Sequence, residues 1–285
     1  MSEVGLVSET RLRLRERIRG KGLLTLTGFA IILVVILVAV FADTISTHDP
    51  TGISVMDRLK PPDRQFLLGT DDFGRDVFSR VIHGTRISLM VSFFVVICAG
   101  TAGTGLGLAS GYWGGALDMA IMRVLDGLMA FPSLFLALAI MAALGNSMPN
   151  LIAALAIVYM PSFARLARNS VLSIIRKEYV EASRACAAGD LYIIGRHVLP
   201  NCLSPIIIEA TLVFGYAILS EAALSFLGFG VPGRPSWGAI LSDGRNFMHV
   251  APWISVFPGI AIFLFVLGVN LTGDGLRDIL DPRMN

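Results

Sequence analysis

The chain has 285 residues, of which 54% are hydrophobic and only 15% charged, and its mean hydropathy is +0.72. A soluble domain carries about 25% charged residues, so the deficit excludes a mostly water-exposed chain and leaves room for several helices at about 20 apolar residues per span. The net charge of +2 comes with no basic face interleaved with aromatics, which sets nucleic acid aside as a partner.

Residues 1–22 form a basic segment in which Arg11, Arg13, Arg15, Arg17, Arg19 and Lys21 are opposed locally by Glu16. It reads either as a topology signal alone or as a surface for anionic lipid headgroups, each basic residue contributing about 1 kcal/mol. Residues 23–42, Leu23–Ala42, are the first apolar run. Val40-Phe41-Ala42 weakly resembles a signal-peptide cleavage site, but the run exceeds the roughly 7–15 apolar residues typical of such segments, so a retained anchor is preferred. Residues 43–84 form an external segment, long for a connection and therefore expected to carry structure or function. Within Gln65–Arg86, the turn residues Gly69-Thr70-Asp71 precede an amphipathic helix with Val77, Phe78, Val81 and Ile82 on one face. That helix is expected to lie on the outer membrane surface or to cap a cavity.

The second span is Ile87–Ser110. Gly103, Gly107 and Gly111 fall on one helix face and let another backbone approach closely, within the subunit or at a subunit interface. The third span, Met119–Leu144, is broken at Pro132, and the fourth, Leu151 to about Arg165, contains Pro161; both prolines are expected to bend their helices. Arg123 and Asp126 are spaced to pair on one face of the third span, or Arg123 snorkels. The fifth span, Leu203–Leu227, carries Glu209 near its inner end and Glu221 near its outer end, where partners or water are expected. The sixth is Pro252–Thr272. Asp126, Glu209 and Glu221 are candidates for pathway or buried polar roles.

A backbone in lipid must satisfy its own hydrogen bonds, so the fold class is an all-α membrane protein with six transmembrane helices. The basic N-terminal segment and the loop 165–202 belong inside, the loop carrying Arg165, Arg168, Arg176, Lys177, Arg184 and Arg196 against Glu178, Glu181 and Asp190. Both termini are then cytosolic. The three cysteines, Cys98, Cys186 and Cys202, match no zinc or redox spacing and read as free thiols. His48, His83, His197 and His249 are scattered, so no metal site is expected.

The loop is the most informative stretch. Tyr179–Ala188 favours a helix with a thin surface of small residues, and Gly189 is expected to turn the chain. Leu191, Ile194 and Val198 then form the stripe of a second short helix lying back against the bundle. Pro200-Asn201 and Pro205 are expected to end it and restart the chain into the membrane. Two short helices joined at a bend make a rigid protrusion that can enter a cleft on a partner; the alternative is a solvated loop with none.

Glu181-Ala182-Ser183, followed by Gly189 and then Leu199-Pro200-Asn201, resembles the "EAA" loop of permease subunits of bacterial ATP-binding-cassette (ABC) importers, which docks into a cleft of the ATPase subunit. Leu68-Gly69-Thr70-Asp71-Asp72-Phe73-Gly74-Arg75-Asp76-Val77 resembles the outer-segment signature of the second ("C") permease of dipeptide, oligopeptide and nickel importers. Gly84-Thr85-Arg86-Ile87-Ser88-Leu89, Gly111-Tyr112-Trp113-Gly114-Gly115, Glu221-Ala222-Ala223-Leu224-Ser225-Phe226-Leu227-Gly228 and Gly273-Asp274-Gly275-Leu276-Arg277-Asp278 with Asp281-Pro282 extend the likeness over nearly the whole chain.

The resemblance implies a type I ABC importer permease fold, N-in/C-in, in the bacterial inner membrane, with a permease core over 85–274 and a cytosolic tail over 275–285. It implies a heterodimer with a homologous B-type permease, two ABC ATPase subunits and an extracytoplasmic substrate-binding protein. The ATPase-coupling residues would be Glu181, Ala182, Ser183, Arg184, Ala185, Ala187, Gly189, Asp190 and Leu191. Two positions depart from the loop pattern: Ser183 replaces the second alanine, and Ala187 stands where a glycine is expected, which puts the bend in question. No G-x-x-x-x-G-K-[ST] surrounds Lys21, Lys60 or Lys177, so no phosphate-cradling loop of that kind is present. The chain is expected to catalyse no bond chemistry and to bind no cofactor, ATP and Mg being used by the partner ATPases. Peptides are the expected cargo. Nickel-chelate, glutathione or another small solute is the alternative within the family. A proton-coupled secondary transporter using Asp126, Glu209 or Glu221, and a purely structural membrane subunit, are the alternatives from other classes.

Overall fold

A computed structural model describes residues 3–280, with side chains over 22–279. The basic side chains before Gly22, and Asp281-Pro282, lie outside the described residues. In chain order the helices are α1 (Glu3–Val40), α2 (Ala42–Ile45), α3 (Val77–Trp113), α4 (Gly115–Met129), α5 (Ser133–Leu144), α6 (Met148–Ile174), α7 (Glu178–Ala185), α8 (Asp190–Ile193), α9 (Leu199–Leu224), α10 (Trp237–Gly244) and α11 (Trp253–Leu280). Among the described residues the only extended pairing is an isolated bridge between Thr70 and Asp76.

Five helices are long and apolar enough to cross a membrane, and α4 with α5, bent by 92°, supply a sixth if counted as one broken span. The break sits at Pro132, which precedes α5 with φ −57° and ψ 131°. Proline has no N–H to donate and disfavours a helical residue before it. Pro161, by contrast, lies inside the continuous α6.

The expected surface helix around Val77–Ile82 does not exist as a separate element. Asp76 caps the helix by accepting from Ser79 N at 3.1 Å, a common way to satisfy first-turn donors, and α3 runs unbroken from there past residues 84 and 85 to Trp113. Val77 and Val81 belong to a core with Ile218, Trp237, Ile254 and Phe265. Their apolar face packs on α9, α10 and α11 rather than on lipid headgroups.

The glycine stripe sets how closely α3 meets α6. A Cβ on Gly103 would lie 2.5 Å from the Met160 carbonyl oxygen, one on Gly107 would press on Ala164 O and Ala167, and one on Gly111 would lie 2.8 Å from Val171 Cβ. The α1–α11 contact uses the same device, with Gly28 against the Gly268 carbonyl. A further cluster at the loop end of the bundle joins Tyr112, Val171, Val180, Ile193, Val198 and Cys202.

Candidate functional site

The segment between α6 and α9 protrudes from the bundle and is anchored underneath. Val180, Ile193 and Val198 are buried, whereas Glu181, Ala182, Arg184, Ala185, Ala187, Gly189 and Asp190 are exposed. Three of the predicted contact residues also serve the chain's own architecture. Tyr112 at the end of α3 donates its hydroxyl to Asp190 at 2.7 Å, and the Arg184 guanidinium sits over the Tyr112 ring at 5.5 Å. The Ser183 hydroxyl donates to the Tyr179 carbonyl and meets His197 Nε2 at 3.0 Å, a contact that alanine could not make. Glu181, Ala182, Ala185 and Ala187 are left facing outward.

The bend falls at a different residue from the one expected. Gly189 has φ −68° and ψ 152°, open to any residue, while Ala187 has φ 58°, in the left-handed region that costs an L-residue energy. Ala187 N donates to Arg184 O at 2.9 Å and Ala188 N to Ser183 O at 3.1 Å. These two bonds define a Schellman cap, whose left-handed position is usually glycine. The backbone demand is the one glycine would meet, although the residue is alanine.

The second short helix also corrects the expectation. Leu191 is 80% exposed and Tyr192 58%, while Ile193 is buried. Residues Ile194–Val198 form a π-helix in which Leu199 N–H reaches Ile194 O. That wider turn resets the register, so Ile193 and Val198 face inward together. Pro200 and Pro205 do not end the helix: Asp190–Phe229 is a single 40-residue element. Around Pro200, which has no N–H to give the preceding turn, Asn201 Nδ2 donates to His197 O at 2.6 Å.

The three intramembrane acids occupy unlike surroundings. Asp126 pairs with Arg165 of α6 at 2.5 Å and not with Arg123 on its own helix. Glu209 is half-buried. Glu221 is fully buried, surrounded by partners and not by water. It accepts from Ser88 Oγ at 3.0 Å and from Ser225 Oγ at 2.7 Å. Trp237 N donates to Ser88 Oγ at 3.3 Å, so this carboxyl sits where α3, α9 and α10 meet. The cysteines are free thiols.

One constellation was not anticipated. Asp71 accepts from Arg75 Nε at 2.6 Å and from Arg80. Both arginines reach Asp243 of α10, at 3.0 Å from Arg75 and 2.7 Å from Arg80. Trp253 Nε1 donates to Thr70 O at 3.0 Å, adding α11 to the clasp. The outer segment is thereby fastened to α3, α10 and α11. Arg75 follows Asp71 by four residues, but nothing in the sequence points to Arg80 or Asp243 as further partners.

Together the bent six-span arrangement and the protruding loop define an all-α transmembrane permease core. The chain belongs to the family described as "Binding-protein-dependent transport system inner membrane component", which it matches over residues 103–285. Residues 24–62 match the "N-terminal TM domain of oligopeptide transport permease C". The chain is 48% identical over 93% of its length to the dipeptide transport system permease protein DppC of Alkalihalophilus pseudofirmus, 87% of which is covered. It is 43% identical over 89% of its length to the glutathione transport system permease protein GsiD of Pectobacterium atrosepticum, 85% of which is covered. The methionine ABC transporter MetNI, solved in inward-facing conformations, shares the fold at a TM-score of 0.58 and 18% identity, over 70% of this chain and 96% of that one. This is therefore a multi-pass inner-membrane permease subunit of an ABC importer, a transport component and not itself an enzyme.

Proposed function

We propose that this chain carries short peptides across the membrane as one half of a heterodimer with a homologous B-type permease. In this reading it is oriented N-in/C-in and receives cargo from an extracytoplasmic binding protein. Two ATPase subunits, which bind ATP and Mg, hold the segment between α6 and α9. Closure of the ATPase pair pushes on α7 and α8 and turns the bundle between outward and inward access. The observation that carries the reading is the union of α8 with α9 in one helix from Asp190 to Phe229. Its loop end presents Leu191 and Tyr192 largely uncovered, as a surface that seats in a partner would. Peptide cargo rests on the 48% identity to a dipeptide permease; glutathione is the second reading, favoured by the glutathione permease relative.

The test is Glu181→Lys in the reconstituted complex. Glu181 is exposed on the first turn of α7, so the variant inserts normally, but reversed charge disturbs a close complementary interface. ATP-driven dipeptide uptake is expected to vanish. Uptake at the wild-type rate would remove the coupling role from the loop, and vanadate-insensitive uptake would remove ATP as its source.

A further inference from the structure

The helix α6 has two chemically different faces. Phe163, Ala164, Ala167 and Val171 are buried, with Ala164 and Ala167 against the α3 glycines. Arg165, Arg168 and Asn169 lie on the other face, and with Met122 and Asp126 of α4 they line an open cavity of about 300 Å³. That volume falls at the lower edge of the ~300–1,000 Å³ typical of small-molecule pockets. Charged side chains on membrane helices face a wet cavity or another protein surface, not hydrocarbon.

Two ion pairs sit here, and they are built differently. Arg168 gives Nε and Nη2 to the two oxygens of Asp118, each at 2.6 Å, and Ser110 adds its hydroxyl to the same carboxylate. That pair is a fixed wall. Arg165 instead meets Asp126 through one nitrogen and one oxygen at 2.5 Å, with the side chains 43% and 56% exposed. An exposed single contact opens at little cost, and both groups keep donor and acceptor capacity for a ligand.

Resting on the peptide-import reading, we propose that this cavity is a passage site for the zwitterion of a short peptide. The Arg165 fork takes the C-terminal carboxylate, for which its planar geometry is suited, and Asp126 takes the N-terminal ammonium. An extended dipeptide spans at most about 7 Å, so the Arg165 and Asp126 side chains, in contact at 2.5 Å, part by about that span to hold its two ends. Met122 supplies an adaptable apolar surface for side chains. The site therefore reads termini and tolerates sequence. A ligand capped at both ends is rejected because it leaves the Arg165–Asp126 pair nothing to exchange for.

The experiment uses the full complex in nanodiscs without binding protein. An Asn169→Cys variant is labelled with a cationic thiol reagent, and mass spectrometry reads position 169 alone. Saturating dialanine is expected to slow labelling at least tenfold, doubly capped dialanine less than twofold, and Arg165→Ala added to the variant should abolish the difference. Equal effects of the two ligands, or none, would overturn the site. Slow labelling in lipid before any peptide is added would mark a resident headgroup and would overturn it as well. ATP-driven dialanine uptake by the wild-type complex is measured in parallel. If uptake is absent, the import reading fails; if uptake is present without protection, only the passage site fails.

Discussion

Arg80 on α3 and Asp243 on α10 are joined at 2.7 Å across 163 positions of sequence, while the same guanidinium also meets the buried Asp71. Arg80 is itself buried, so its charge is compensated by these carboxylates. Removing one partner of a buried ion pair strands the others and typically costs about 3–5 kcal/mol. Arg80→Met is therefore expected to lower the thermal midpoint of the purified complex sharply. Asp243→Asn should do less, because Asp243 is 34% exposed and water can replace part of what it gives. Equal midpoints for wild type and Arg80→Met would show that the clasp contributes nothing.

Ala187→Gly should stabilise the loop. A left-handed residue other than glycine costs roughly 1–2 kcal/mol, and the added freedom of glycine in the unfolded chain returns roughly 0.5–1 kcal/mol of that. A net gain of about 0.5–1 kcal/mol is expected, read as slower amide exchange at Cys186–Gly189. Ala187→Val should speed the same exchange. Faster exchange in Ala187→Gly together with slower exchange in Ala187→Val would place the bend elsewhere.

Gly107→Ala and Gly105→Ala separate packing from propensity on one helix. A Cβ at Gly107 collides with Ala164 O and Ala167, whereas Gly105 has nothing within 4 Å. Overpacking costs about 1–3 kcal/mol, so Gly107→Ala should lower the yield of folded protein and its melting temperature. Gly105→Ala should leave both unchanged or raise them slightly. Matching behaviour would mean that α3 and α6 do not need this close contact.

Asp72 gives a pH dependence. Burial pushes its carboxyl above the ordinary 3.8, helped by the nearby charges of Asp71 and Asp243 and opposed by Arg75. One of its oxygens is buried without a hydrogen-bond partner. The folded state thus holds the proton more tightly than the unfolded chain, and stability is lost as pH rises from 3.8 through the raised value. Asp72→Asn should flatten that fall and leave the outer segment more stable at neutral pH. Melting curves recorded from pH 4 to pH 7 check this; a wild-type protein that gains stability over that rise would contradict it.

What the sequence disclosed follows from the range of each interaction. Apolar runs are local, so the spans were legible, as was the break at Pro132, where one residue's chemistry decides the outcome. The α3 glycine face was legible from spacing, but its partner, α6, was not. Leu191 was misplaced because a π-turn changes the period that the stripe argument assumes. Residue type points to Gly189 for the bend, whereas backbone demand sets the left-handed position at Ala187. The shared helix suggests that Arg123 pairs with Asp126 or snorkels, and the pairing is excluded by a residue from another helix, Arg165 of α6. For Glu221 the sequence allows partners or water and leaves the choice open, because the covering α10, with Ser236 and Trp237, lies between spans and carries no signal of where it folds back. The Asp71–Arg80–Asp243 clasp depends on the same fold-back.

From Asp190 to Phe229 the chain is a 40-residue rod, about 60 Å long at 1.5 Å per residue. It is not uniform along that length: Ile194–Val198 and Ser225–Phe229 are π turns, Pro200 and Pro205 lie between them, and Gly228 leaves helical geometry at φ 92°. Leu191 stands near one end of the rod, and toward the other Glu221 meets Ser88 and Ser225. Under the proposed coupling, anything that restrains α10 also changes the grip that the ATPases take at Leu191.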